Sequence, residues 1–306
     1  MGSGLLHRGL DGLAVWVEDR LERQPQPFRS APAAPLGCFG PLPPLPEPPP
    51  SRGLWRAPSP GGGAGDLMSI RATPARGRRR GTAILVPPWK IRSPALVGGY
   101  ARLLSRCGHD VWLVCPPGHL ERTPPGTRSG EAFVSLDLAR LRAALEQLVL
   151  ELRLCAAMAA ARGPVGLLGL SLGGLAGALA ATAPERLDFA ALVSPPSLEL
   201  VVARTGIGRR YRRLAERAGS DWPGDAAVAT ALSPLDPARR PPTAARLLVA
   251  AGLHDGIALP EGPAALAGAW GVAPRLYRRG HLSLLFLCRA LRRDLADFVG
   301  GGRMHN

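Results

Sequence analysis

The chain is short of lysine, of aromatic residues and of paired cysteines, and each shortage narrows the range of functions. Of its 38 basic residues only Lys90 is a lysine. The formal net charge of +15 is therefore an arginine charge, in a chain also rich in alanine, glycine, proline and leucine, and a G+C-rich coding bias explains much of it. Aromatic residues make up 5% of the sequence, and almost none interleaves with the arginine runs. The stacking platforms of a nucleic-acid groove are thus missing, and no nucleic-acid partner is expected. An anionic surface or substrate stays compatible with the charge. Cys38, Cys107, Cys115, Cys155 and Cys288 are odd in number, far apart and form no C-x-x-C pair, which argues against a disulfide framework or zinc site and for a reducing compartment. Met1 to Arg23 lacks the basic and apolar regions of a secretory signal, so a cytoplasmic chain is expected. Residues 164–184 carry no charge, but glycines interrupt them and a proline stands at each end; they read as strand, turn and helix rather than a membrane span. No G-x-G-x-x-G, P-loop lysine or metal-ligand cluster occurs, so no cofactor is expected.

What is present is enough apolar material for a large core: 46% hydrophobic and 20% charged residues over 306 positions. Residues 1–23 place Leu6, Leu10, Leu13, Val17 and Leu21 at helical spacing, an amphipathic helix whose stripe is expected to be a packing face, with a membrane-surface role as the minority option. Residues 24–66, with the run PLPPLPEPPP at 41–50 and PGGGAG at 60–65, resist regular helix and read as an extended linker or covering strap. From 67 to 299 short apolar runs alternate with helical periods. Strands are expected at 67–73, 82–86, 111–115, 165–170, 189–194, 246–252 and 274–277. Helices are expected at 94–107, within 131–162, at 172–183, at 261–270 and from 282 to 299. Continuous apolar strands separated by helices imply an α/β fold, a mostly parallel sheet with helices on both faces. Residues 197–244 look like a small lid insertion, and 300–306 a flexible tail.

The segment with most chemical content is Gly169-Leu170-Ser171-Leu172-Gly173-Gly174, preceded by a buried strand and followed by an apolar helix. A serine on so sharp a strand-to-helix turn takes a strained backbone, and side chains two residues away on either side would collide. The turn lifts the hydroxyl above the sheet and aims the free N–H groups of the following helix at it. A serine hydroxyl needs a base, and the base an orienting acid. Downstream lie three histidines. His305 sits in the tail, and His254 reads as a neighbour of the acid. His281 follows a strand and opens the last helix. Asp255 comes three residues after strand 246–252, with Asp236 as the alternative acid. Strand carboxyl ends of an open α/β sheet share one rim.

In its elbow, in Gly252-Leu253-His254-Asp255 and in Gly280-His281, taken in that order, the chain resembles the alpha/beta-hydrolase superfamily over residues 67–299. The segments 116–124 (Pro116-Pro117-Gly118-His119 through Pro124) and Gly280-His281-Leu282-Ser283 are similar to the abhydrolase-domain-containing eighteen-type group. The resemblance implies a serine hydrolase of carboxylic esters, lipid acyl esters among them, working through an acyl-Ser171 intermediate with His281 as base and Asp255 as its orienting acid. It also implies oxyanion donors from the backbone N–H of Leu172 and from the loop after strand 82–86. Where the superfamily usually has His-Gly, this chain has Pro87-Pro88-Trp89-Lys90, so the N–H of Trp89 is the expected donor. His119, Arg122 and Lys90 are expected substrate contacts, an arginine packing across its own loop being the alternative for Arg122. Arg209-Arg210-Tyr211-Arg212-Arg213 reads as a solvated helix face, or as a contact for an anionic membrane if it faces one. A small-molecule or lipid ester is the implied partner, with no obligate protein partner. A hydrolase-like binding protein without turnover, and an acyltransferase, are the alternatives the pattern leaves open.

Overall fold

Gly81–Val86, Val165–Leu170 and Phe189–Val193 are apolar along their whole length because each lies between two layers of helices and buries both faces. They are central strands of the sheet in the computed structural model, which describes residues 2–21, 26–31, 34–63 and 66–301. The tail with His305, and the side chains of Val17 and Leu21, lie outside the described residues. The elements follow in the order α1 (Gly2–Leu21), β1 (Gly53–Pro58), β2 (Leu67–Thr73), β3 (Gly81–Val86), α2 (Gly98–Arg106), β4 (His109–Cys115), α3 (Leu138–Ala160), β5 (Val165–Leu170) and α4 (Leu172–Ala180). Then come β6 (Phe189–Val193), α5 (Leu198–Arg204), α6 (Gly206–Arg217), α7 (Asp225–Leu232), β7 (Leu247–Gly252), α8 (Glu261–Ala269), β8 (Arg275–Tyr277), α9 (His281–Leu287) and α10 (Arg289–Gly300).

The strand order is β1-β2-β4-β3-β5-β6-β7-β8. From β4 to β8 all neighbours are parallel, whereas β2 pairs antiparallel with both β1 and β4. From β3 the chain turns to β4 on one side and later to β5 on the other, so the order reverses between β3 and β5. Crevices for ligands open at the carboxyl ends of such a switch point. The two-residue period of the strands divides the core. Ile84 and Val86 of β3 join Leu148 of α3 and Leu175 of α4, while Ala83 and Leu85 join Tyr100 and Leu104 of α2 and Leu291 of α10. Leu145, Leu148 and Leu152 of α3 are fully buried, each worth about 1.5–3 kcal/mol of transfer free energy.

Four expectations change. Part of the proline-rich strap, Gly53–Pro58, is an edge strand paired with β2 in a register that sets Trp55 opposite Ile70. The α3 helix begins only at Leu138, because the Asp137 carboxylate accepts the N–H groups of Ala139 and Arg140 and fixes the start there. The last helix is two: Cys288 leaves the helical region (φ −85°, ψ 103°), and its Sγ accepts from Leu291 N to cap α10. The described part of the α1 leucine stripe is not a packing face: Leu6, Leu10 and Leu13 are exposed, and among the described side chains of α1 the buried ones are His7 and Asp11.

Beneath β1 and β2 lies a buried ionic knot. Arg122 donates to Glu151 at 2.8 Å and to Asp66 at 3.0 Å, and Ser59 and Gln147 donate to Glu151 in turn. Both charges of the Arg122–Glu151 pair are almost wholly removed from water. Removing one partner of such a pair costs about 3–5 kcal/mol, whereas an apolar replacement of both is far cheaper. Arg122→Met should therefore lower the urea midpoint strongly, and Arg122→Met with Glu151→Leu should recover a large part of the loss. A single variant as stable as the wild type would contradict this account.

Candidate active site

The turn between β5 and α4 is built by two close approaches. A Cβ on Gly169 would collide with the carbonyl of Gly173, and a Cβ on Gly173 with the carbonyls of Val86 and Pro87. The second approach fixes the end of β3 against the elbow. Between the glycines Ser171 takes φ 53° and ψ −116°, a left-handed backbone rare for a side chain with a Cβ, and its N–H is tied to Val193 O at 2.8 Å. Leu172 is the first helical residue, so its N–H has no carbonyl within α4 to bond.

β7 ends at Gly252 and β8 at Tyr277, on the rim where β5 ends. The three side chains meet there. His281 Nε2 lies 2.9 Å from Ser171 Oγ, and His281 Nδ1 lies 2.7 Å from Asp255 Oδ2. The other oxygen of Asp255 accepts the N–H groups of Ile257 and Ala258 at 2.9 and 2.7 Å. A carboxylate can only accept, so Nδ1 carries the imidazole proton and Nε2 is free to accept from the serine hydroxyl. Burial alone would raise the Asp255 carboxyl; the charge and N–H of His281, with the two backbone donors, outweigh it and hold the carboxyl below its ordinary value. Burial alone would lower His281; the charges of Asp255 and Asp11 outweigh it and hold the imidazole above its ordinary value. Ser171 is 7% exposed, so the hydroxyl sits at the bottom of the rim rather than on an open surface.

Asp236 is not a partner of His281. It accepts from Ala238 N and faces Arg239 in the 197–244 segment. His254 donates its backbone N–H to Arg279 O, and its ring stacks on His7.

Two of the expected substrate contacts are placed elsewhere. Arg122 has both terminal nitrogens on Glu151 and Asp66, and with its guanidinium committed there it faces no substrate. His119 is fully buried; Nδ1 donates to Pro117 O at 2.9 Å and Nε2 accepts Lys90 N–H at 3.2 Å. Burial pushes its pKa down to about 4, so it is neutral and acts as a buttress of the Pro87–Lys90 loop. That contact takes the Lys90 N–H, and Pro87 and Pro88 have no N–H to offer. Lys90 itself takes φ 57°, and its ammonium lies 4.5 Å from the centre of the Trp89 ring. Among the described residues no group of three or more His, Cys, Asp or Glu is placed to hold a metal ion.

One buried residue at the site had no signal in the sequence. Asp11 of α1 is 2% exposed and accepts from His281 N at 2.7 Å, Leu282 N at 3.1 Å and Gly256 N at 3.1 Å. A single carboxylate thus holds the start of α9 and the Asp255 loop together, and its charge suits the N-terminal end of a helix. Beside it His7 Nδ1 meets Ser283 Oγ at 3.1 Å.

The paired shifts also set a pH window for stability. Asp255, with its pKa depressed, adds stability that is present above its unfolded value and lost as pH falls through the folded one. His281, with its pKa raised, adds stability that is present below its unfolded value and lost as pH rises through the folded one. In a histidine-selective NMR titration His281 should titrate above the ordinary histidine value, and Asp255→Asn should bring it down. Asp11→Asn should move it the same way by less. An unshifted His281 in the wild type would refute the charge assignment.

No protein-family model matches the chain, and no curated protein matches it in sequence. Solved structures do match in shape. The acetyl xylan esterase from Paenibacillus sp. R4 aligns with a TM-score of 0.57 at 14% identity, over 97% of this chain and 94% of that one. A soluble variant of the monoglyceride lipase from Saccharomyces cerevisiae, solved with a substrate analogue, also aligns at 0.57, with 12% identity over 86% of this chain and 97% of its own. The enol-lactonase from Burkholderia xenovorans LB400 aligns at 0.50 with 17% identity over 77% and 97%. With the strand order and the parallel centre of the sheet, these likenesses establish the alpha/beta-hydrolase fold.

Proposed function

We propose that this chain, an alpha/beta-hydrolase by fold, is a serine hydrolase that cleaves carboxylic esters, lipid acyl esters among them. The observation that carries the reading is the unbroken hydrogen-bonded line from Asp255 through His281 to Ser171. Along it His281 Nε2 takes the Ser171 proton as Oγ attacks the ester carbonyl, and Asp255 stabilises the imidazolium that forms. The carbonyl oxygen becomes an oxyanion facing the N–H groups of Leu172 and Trp89, an interaction worth about 3–4 kcal/mol per donor in such sites. His281 then returns the proton to the alcohol oxygen, the alcohol leaves, and the acyl group stays on Ser171. Water, deprotonated by His281, attacks the acyl carbon; the acid departs and the serine proton is restored. Transfer to another alcohol would share the first half of this sequence.

The narrower likeness to the eighteen-type group rests on segments 116–124 and 280–283, the first of which buttresses the Trp89 loop through His119. A second reading, a binding protein without turnover, is favoured by the burial of Ser171 and by two prolines that remove N–H groups from the loop.

A fluorophosphonate probe decides between the two. The wild type should label, Ser171→Ala and His281→Ala should not, and Asp236→Ala should label fully. On p-nitrophenyl esters of increasing chain length, Asp255→Asn should lose about 10⁴-fold in kcat. A wild type that neither labels nor turns over any ester of the series would favour the binding protein.

A further inference from the structure

Helix α1 is packed inside out. Successive residues advance about 100° around a helix, so Leu6, Leu10 and Leu13 share one face and His7 and Asp11 lie about 110° round from it, on a neighbouring face. Amphipathic helices ordinarily bury the first kind of face and wet the second. Here Leu6 is 65% and Leu13 55% exposed, while Asp11 is held inward by three N–H groups. Polar bonds from His7 and Asp11 and the contact of Val15 with Gly206 anchor the helix, and Leu6, Leu10 and Leu13 face solvent. Contiguous exposed apolar surface of this kind marks a contact site.

Beside the row, Trp16 is 51% exposed and forms the lip of a cleft of about 610 Å³ between α1, the α5–α6 junction and the loop after β7. Arg8, Arg204, Arg209 and Arg213 line that cleft. Among the described lining residues Asp11 and Asp255 are buried and turned to N–H groups and His281, and Glu261 faces outward, 3.0 Å from Arg204. The lining includes neither Ser171 nor His281.

We infer that α1 and this arginine-lined cleft form a docking surface for an anionic phospholipid bilayer. The leucine row enters the acyl boundary, Trp16 sits at headgroup level, and the arginines meet lipid phosphates. No helix among the described residues is long and apolar enough to cross a membrane; α1 lies along the interface. A second copy of the chain fits this face poorly. At +15 per chain, a twofold pairing through it would set the arginines of one copy against those of the other. Docking goes beyond ester cleavage and does not depend on it, so Ser171→Ala should dock as the wild type does.

Co-sedimentation tests the inference, using phosphatidylcholine vesicles with and without about a third phosphatidylglycerol. The wild-type chain and Ser171→Ala should bind the anionic vesicles at least about tenfold more tightly than the neutral ones, and lose most of that preference in about 0.5 M salt. Leu6→Ser/Leu10→Ser/Leu13→Ser should abolish binding, with circular dichroism reporting whether the variant folds. Arg8→Ala/Arg209→Ala leaves the apolar row intact and should weaken binding by roughly fivefold per arginine removed. Equal wild-type binding to both vesicle types would overturn the inference, as would an arginine variant that binds like the wild type. So would a failure to bind vesicles coupled with self-association in sedimentation velocity that the leucine variant loses; the face would then pair with a second copy.

Discussion

Parallel strands in one sheet must end on the same rim, and this constraint makes a three-residue site out of positions 171, 255 and 281. β5, β7 and β8 run in the same direction, each followed by a short turn, so residues just past their ends converge whatever the loops elsewhere do. The two glycines of the elbow then determine how far the serine stands out. If either carried a side chain, the β3 end or the α4 start would have to move, and the approach of the Val86 and Pro87 carbonyls to Gly173 would be lost. Backbone strain at Ser171 is the local cost of that geometry, and the packing of α4 between β5 and β6 is what maintains it.

The rim alone does not hold His281. β8 is three residues long and at the sheet edge, a weak platform for a group that must keep its orientation to within a few tenths of an ångström. Asp11 supplies the missing constraint from the far end of the sequence. Its carboxylate bonds the N–H groups that open α9 and one from the Asp255 loop, so base and acid are fastened to the same point. The orientation of α1 follows from this. Each of the three N–H groups left unpaired would cost about 1–3 kcal/mol, the same order as the burial of a leucine, and one carboxylate satisfies all three. The helix turns His7 and Asp11 inward and leaves Leu6, Leu10 and Leu13 outside.

What the sequence made legible is what local pattern determines. β2 and β5 lie at 67–73 and 165–170 as their apolar runs suggest, and the chain order of Ser171, Asp255 and His281 puts them on a common rim. What it hid depends on partners far away in the chain. Gly53–Pro58 reads as part of a proline-rich strap because only its pairing with β2 makes it a strand. Arg122 has the chemistry to bind a substrate anion, but Glu151 and Asp66, 29 and 56 residues away, already hold it. Asp11 is a lone acidic residue among leucines, and its three donors lie about 250 residues downstream. No periodicity carries that information; the leucine spacing points the other way.

In the proposed reaction His119 would serve without touching a substrate. The loop after β3 carries Pro87 and Pro88, which have no N–H to donate, so in the proposed reaction one backbone group, that of Trp89, would have to do what neighbouring donors share elsewhere. Such a donor is useful only if its direction is fixed before the oxyanion forms. Lys90 is held in a left-handed conformation, which orients the peptide that follows Trp89, and its N–H is bonded to a buried imidazole. Because burial keeps that imidazole neutral across the physiological range, Nε2 stays an acceptor and the loop keeps one conformation. The Trp89 ring adds a second tie through its own N–H, 2.7 Å from Gly130 O. Two prolines, one strained lysine and two side-chain hydrogen bonds thus rigidify the segment, doing by fixation what a glycine-rich loop does by offering more donors.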